Sequence, residues 1–203
     1  MIKAVLFDYD GVLTLDKSGS YTICKYISKN ADIDYELFSH EYRKYNDDLL
    51  IGKVTHEQIW NQLCKNVNKS VSIKYLFDSY KNTPINTKMI DLVKRIKKNN
   101  KTGLITDNKK DRIDAAKNDF KLAELFDVIT VSAEIGSQKN KETIFSKTIK
   151  ELSLNYDECV FIDNQENNLI VPKKVGMKTI FYNHKENDIK RLVSELKKLN
   201  IQI

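Results

Sequence analysis

Hydrophobic positions along this chain fall into two alternating kinds of run. Short, unbroken apolar stretches occur at Ala4–Asp8 (AVLFD), Thr102–Thr106 (TGLIT), Val128–Ser132 (VITVS), Cys159–Asp163 (CVFID) and Thr179–Tyr182 (TIFY). Most lack the apolar–polar alternation of a half-exposed strand, so they read as strands covered on both faces, as in a parallel sheet. Between them lie amphipathic stretches at Thr87–Asn99, Lys109–Phe120, Lys141–Ser153, Glu166–Val175 and Glu186–Leu199. Strand patterns alternating with helix patterns predict an α/β fold, a doubly wound parallel sheet with right-handed crossovers.

The segment from about Asp16 to Thr83 breaks this rhythm. It carries only helical patterns, at Ser20–Lys29, Tyr35–Leu49, Thr55–Asn66 and Ile73–Tyr80. Thr55 is followed three residues later by Gln58, a capping-box start. Pro84, with Asn82 and Asn86, marks the return of the chain to the sheet. The expected organisation is an α/β core domain of residues 1–15 and 84–203, interrupted by an all-helical domain at 16–83.

Composition narrows the classes. The 203 residues are 41% hydrophobic and 31% charged, ordinary for a globular protein with one sizeable core and an appendage. No apolar run is long enough to span a bilayer, and the N-terminal apolar stretch is short and ends in acids, unlike a secretory signal. These features point to the cytoplasm and to no membrane partner. Cys24, Cys64 and Cys159 are widely separated and odd in number, so they suggest thiols in a reducing compartment, without metal or disulfide spacing. The net charge of +6 raises nucleic acid as a partner, yet the lysines are scattered among acids as on solvated helix faces, and no nucleic-acid motif accompanies them.

In an open parallel sheet, ligands bind beyond the carboxyl ends of the strands. The first strand ends in Asp8-Tyr9-Asp10-Gly11, the second in Thr106-Asp107-Asn108, the fourth in Asp163-Asn164, and Lys139 follows the third. Singly, each has a plain structural use: Asp-Gly makes turns, Thr and Asp cap helices, and lysines line surfaces. Together they put acids, a hydroxyl, an amide and a lysine on one rim, the groups that phosphoryl transfer requires. The Gly directly after the second acid excludes a calcium loop. His40, His56 and His184 show no metal or triad spacing and read as surface or packing residues, and Trp60 as an apolar anchor.

These motifs resemble those of the haloacid dehalogenase (HAD) superfamily in its phosphatase branch. FDYDGVLT at 7–14 matches the first motif, LIT at 104–106 the second, SAEIGSQKNKETIF at 132–145 the third-motif region, and FIDNQENN at 161–168 the fourth. The resemblance implies a HAD-like Rossmannoid core, and the helical insert sits where the family carries its first type of cap domain. Two positions depart from many relatives: Asn140 replaces a Pro after the lysine, and Asn164 replaces a second acid that ligates the metal. An amide oxygen still binds a hard cation but brings one negative charge fewer, so weaker magnesium binding is expected.

The resemblance further implies a cytoplasmic Mg2+-dependent phosphohydrolase acting on a small phosphorylated metabolite. Asp8 is the expected nucleophile, forming an aspartyl-phosphate, and Asp10 the general acid and base. Lys139 and the Thr106 hydroxyl would stabilise the phosphoryl oxygens. The metal ligands are expected at Asp8, the Asp10 backbone carbonyl, and Asp163 or Asn164. Gly11 and Asp107 are candidate substrate contacts. So is Lys53, in a cap loop that resembles the family's substrate-facing loop, and Lys109 is a lesser one. A carboxylate attacking a phosphate dianion meets about 4 kcal/mol of repulsion at ~4 Å and an effective dielectric of ~20, which a metal offsets. The acid at Asp10 sets the chain apart from dehalogenases, whose halide leaves without a proton. A phosphomutase and a non-catalytic binding protein are the alternatives. The sequence leaves monomer and homodimer both open.

Overall fold

The computed structural model describes residues 1–203. Five parallel strands, β1 (Ala4–Phe7), β2 (Lys101–Thr106), β3 (Val128–Val131), β4 (Cys159–Asp163) and β5 (Lys178–Phe181), form one sheet in the order β3-β2-β1-β4-β5. Alternate residues of each strand face opposite layers. Val5, Phe7, Val160 and Ile162 pack with Leu92, Val93 and Ile96 of α5 (Thr87–Ile96) and with Leu192 and Leu196 of α11 (Ile189–Lys198). Ala4, Leu6, Ile105 and Phe161 pack with Ile144, Phe145 and Ile149 of α9 (Glu142–Leu152). Covering on both faces is why the strands read as unbroken apolar runs. The chain first extends the sheet from β1 through β2 to β3, then crosses back to add β4 on the other side of β1. The carboxyl ends of β1 and β4 therefore border the crevice where the strand order reverses, where ligands of such sheets bind.

The segment between β1 and α5 is all helical: α1 (Gly19–Asn30), α2 (Tyr35–Leu50), α3 (His56–Asn66) and α4 (Lys74–Lys81). It has an apolar cluster of its own, with Ile23, Ile27, Phe38, Tyr42, Leu63 and Leu76 buried. Trp60 anchors it, its indole N–H donating to the Val71 carbonyl at 2.8 Å. The Thr55–Gln58 capping box forms with both of its hydrogen bonds. The chain leaves and re-enters the sheet at one place: the Leu15 N–H donates to the Pro84 carbonyl (2.8 Å), the Asn86 N–H donates to the Leu13 carbonyl (2.9 Å), and Thr14 and Ile85 form an antiparallel bridge between them.

Two differences from the periodicity have local causes. The single helix expected at Glu166–Val175 is a 3-10 turn at Glu166–Leu169 followed by α10 (Ile170–Lys174). Asp163 Oδ1 accepts the Gln165 N–H (2.7 Å) and the Asn168 side-chain amide (3.2 Å), drawing that first turn tight against β4. Pro172 has no N–H for the helix ladder there. The one-turn helices α7 (Leu122–Leu125) and α8 (Ser132–Ile135) are too short to carry a period. Between β2 and β3, α6 (Lys110–Asp119) takes nearly its expected place. Cys24 and Cys159 are buried and Cys64 half-buried, all as free thiols. No helix is long and apolar enough to cross a membrane.

Candidate active site

Asp8 follows β1 directly, and its N–H still donates to the Ile162 carbonyl of β4 at 2.9 Å. The chain then makes one wide turn over Tyr9–Leu13, closed by the Thr14 N–H to the Tyr9 carbonyl at 3.1 Å. Gly11 takes φ 75° in this turn, and a Cβ there would lie 2.0 Å from Asn164 Nδ2. Both the conformation and the space thus require glycine. The Gly11 N–H, expected to face a phosphate, donates instead to Thr14 Oγ1 at 3.1 Å. Its contribution is the turn and the room it leaves for Asn164.

Lys139 sits between two buried carboxylates, 2.8 Å from Asp8 Oδ1 and 2.7 Å from Asp163 Oδ2. Burial alone would lower the lysine, but Asp163 and Asp8 hold it firmly protonated. Asp8 is pushed well above the ordinary carboxylate range, first by burial and then by Asp163, with Lys139 opposing. The loop that carries the lysine is fixed by Asp107, whose Oδ1 accepts the Lys139 N–H at 2.9 Å. Asp107 also lines the cavity, so it serves the lysine as well as any substrate. Burial raises its carboxyl, against the pull of Lys139.

Asp10 meets a residue the sequence reading missed. Its two oxygens accept from Arg112 Nη1 and Nη2, each at 2.8 Å, and Oδ2 also accepts from the Asn108 side-chain amide at 2.8 Å. Arg112 is 1% exposed and its ring of contacts includes Tyr9, whose face it covers at 5.2 Å. Burial works against its charge, and Asp10 more than offsets this. A signal existed in the sequence: Arg112 lies beside Ile113 and four residues before Ala116, on the buried stripe of α6. Gly19, the first residue of α1, lets this helix meet the pair, since a Cβ there would lie 2.4 Å from Arg112 Nη1.

Asp8, Asp10, Asp107 and Lys139 open onto one cavity of about 460 Å³, which α1 and α2 close from above with Ser20, Arg43, Asn46 and Leu50. Thr106 is buried beneath it, with its Oγ1 accepting from the Asn108 amide at 3.3 Å. Lys53 does not reach the cavity, a correction to the expectation. Leu50 lines the site, Gly52 takes φ 70° where a Cβ would lie 2.1 Å from the Ala133 carbonyl oxygen, and Lys53 pairs with Asp48 at 3.3 Å. Lys109 does line it, 3% exposed, donating to Ser20 Oγ at 2.8 Å over the ring of Tyr42. Of the two readings given for His56, surface or packing, the structure shows packing, in a buried junction: its Nδ1 lies 2.7 Å from Asp111 Oδ2 and its Nε2 2.8 Å from the Tyr42 hydroxyl.

Of the two side chains expected to complete the metal set with Asp8 and the Asp10 carbonyl, Asn164 has an oxygen free and Asp163 does not. Asp163 has both oxygens engaged, by Lys139, the Gln165 N–H and the Asn168 amide. The Asp10 carboxylate is given to Arg112, and no three acids, histidines or cysteines are gathered as a metal cluster. Asn164 Oδ1 is buried with no hydrogen-bond partner, while its Nδ2 donates to the Lys17 carbonyl at 3.3 Å. Buried polar atoms are seldom left so, and an oxygen-only set of the Asp8 carboxylate, the Asn164 amide and the Asp10 carbonyl fits a hard cation such as magnesium.

Comparison with known proteins agrees with the fold. Residues 2–176 match the model of the haloacid dehalogenase-like hydrolases. A HAD-family enzyme of Bacteroides thetaiotaomicron superposes with a TM-score of 0.77 at 22% identity, covering 95% of this chain and 98% of that one. Its complex with magnesium and inorganic phosphate superposes with a TM-score of 0.74, at 22% identity over 95% and 99% of the two chains. An L-2-haloacid dehalogenase of Xanthobacter autotrophicus, with chloropropionic acid covalently bound, gives 0.68 at 14% identity over 100% and 85%. Drimenol cyclase of Aspergillus calidoustus is 26% identical over 72 residues, 36% of this chain and only 13% of that protein.

Proposed function

We propose, from the premise that the chain belongs to the haloacid dehalogenase-like hydrolase family, that it is a magnesium-dependent phosphohydrolase of small phosphorylated metabolites working through an aspartyl-phosphate. The observation that carries this reading is the pairing of Asp8, held by Lys139, with Asp10 on the same cavity. Halide departs unaided, whereas an alkoxide needs a proton, and Asp10 is the group able to supply it. The likeness to a fold solved with magnesium and inorganic phosphate supports the same choice.

An Asp8 carboxylate oxygen attacks phosphorus while the bond from phosphorus to the ester oxygen breaks. Asp10, in its protonated form, gives its proton to that departing oxygen. Asp10 then takes a proton from water as the water oxygen attacks phosphorus, which releases inorganic phosphate and restores Asp8. Lys139 keeps a fixed positive charge against Asp8 and the phosphoryl oxygens throughout. Bound magnesium, held by Asp8, Asn164 and the Asp10 carbonyl, would supply the charge that lets two anions meet. Arg112 and Asn108 orient Asp10, which must loosen from the guanidinium to reach the leaving oxygen.

The test is hydrolysis of p-nitrophenyl phosphate with and without magnesium, for the natural chain and Asp8→Asn. Turnover that depends on the metal and disappears in the variant is expected. Equal turnover in the two proteins would remove Asp8 as the nucleophile.

A further inference from the structure

The helical segment brings Arg43 and otherwise only neutral residues to the cavity, and Lys109, just before α6, leans against this side from the core. The buried basic groups of the core are paired: Lys139 with Asp8 and Asp163, and Arg112 with Asp10. Lys109 is the exception. It is 3% exposed, yet its ammonium has only the Ser20 hydroxyl and the Tyr42 ring as polar company, and no carboxylate lies within ion-pair distance. Ser20 in turn donates to Asn46 Oδ1 at 2.7 Å, so the hydroxyl is fixed with its oxygen toward the lysine. Arg43, three residues before Asn46 on α2, opens onto the same cavity and likewise pairs with no acid. Leu50 is the sole apolar side chain in the lining.

An ammonium removed from water without a counter-ion is costly, and one on a cavity wall can recover that cost from an anion that enters the cavity. Lys139 already serves the phosphoryl group at Asp8, on the floor. Lys109 and Arg43 approach from the side built by α1 and α2, where the rest of the substrate must lie. We infer that the substrate is a small phosphate monoester whose leaving group carries a second anionic group, a carboxylate or another phosphate, held by Lys109 and Arg43. This inference rests on the phosphohydrolase reading above and adds to it the charge of the leaving group. The depressed affinity of Lys109 for its proton, brought to about 8 by burial and then by Arg112, is in keeping with a cation that awaits its partner.

A charge series on one two-carbon scaffold tests it: phosphoglycolate (anionic), 2-hydroxyethyl phosphate (neutral) and O-phosphoethanolamine (cationic), followed by phosphate release with magnesium at neutral pH. A bisphosphate, ethylene glycol bisphosphate, distinguishes a second phosphate from a carboxylate. In the natural chain, kcat/KM for at least one of the two esters with an anionic leaving group, phosphoglycolate or ethylene glycol bisphosphate, should exceed that of the neutral ester by about 10- to 100-fold, the worth of a hydrogen-bonded charge. The cationic ester should be the poorest. In Lys109→Met, and in Arg43→Gln, whose exposed side chain carries little folding risk, the ratio of anionic to neutral kcat/KM should fall toward one. A ratio near one in the natural chain, or an unchanged ratio in both variants, overturns this inference and leaves the phosphohydrolase intact. No turnover of any ester, p-nitrophenyl phosphate included, removes the phosphohydrolase reading and this one with it.

Discussion

Asp10 holds both oxygens on one guanidinium, and this pairing governs what loss of either partner does. Arg112→Met leaves a buried carboxylate without its counter-charge, so a stability loss of about 3–5 kcal/mol is expected by chemical denaturation. Asp10→Asn keeps the shape and one acceptor, and should chiefly lower kcat, by about 10²- to 10⁴-fold. Lys109 gives a pH signature. Its proton is held less tightly in the folded chain, to about 8, than in the unfolded one at about 10.4. Below pH ~8 the ammonium is charged in both states, and between about 8 and 10.4 the unfolded chain binds more protons, so stability contributed there rises with pH by up to about 3 kcal/mol. Lys109→Met should lose that rise, checked by denaturation midpoints at pH of about 7.5 and 10. Asp8 and Lys139 were readable because strand ends advertise them. Arg112 was harder to read: its place beside Ile113 on the short buried stripe of α6 is its one signal, and the KKDR start looks like a solvated face. Lys53 misled because loop position does not fix side-chain direction, which Gly52 and Asp48 decide.

At the scale of elements, α3 and α4 are joined to α6 through a buried junction. Asp111 Oδ2 accepts from the Tyr80 hydroxyl at 2.9 Å and meets His56 at 2.7 Å. Burial would raise the Asp111 carboxyl, but the hydrogen bond and charge of His56 bring it below its ordinary range. The stability that this gives is present above the unfolded carboxylate range and is lost as pH falls through the lowered value. His56→Ala should cost about 1–3 kcal/mol by stranding buried partners, and hydrogen exchange should quicken in α3 and α4 before the sheet. This junction left no trace in the sequence, since Tyr42, His56, Tyr80 and Asp111 come from four separate helices or their caps. The helices themselves were legible, because each carries an apolar stripe, and α3 a capping box.

The molecule as a whole follows from two periodicities, unbroken apolar strands and amphipathic helices, and these were sufficient to read the five-stranded parallel sheet. The single-turn helices, the break of the Glu166–Val175 helix and the wide turn after β1 escaped, being shorter than any repeat or dependent on Asp163 and Asn164 across the sheet. Because the packed layers do not depend on the metal donors, chelation should abolish turnover while leaving far-ultraviolet circular dichroism unchanged. Retained activity after chelation would exclude the cation from the reaction. The antiparallel bridge of Thr14 with Ile85 has a different kind of consequence. The sheet sees the whole helical excursion as a hairpin whose two stems touch, so the length of chain between them scarcely alters the cost of closing it. A tight turn of about four residues grafted at that stem in place of residues 17–82 should therefore leave every strand in register, at the loss of the His56–Asp111 junction and of the wall that α1 and α2 give the cavity.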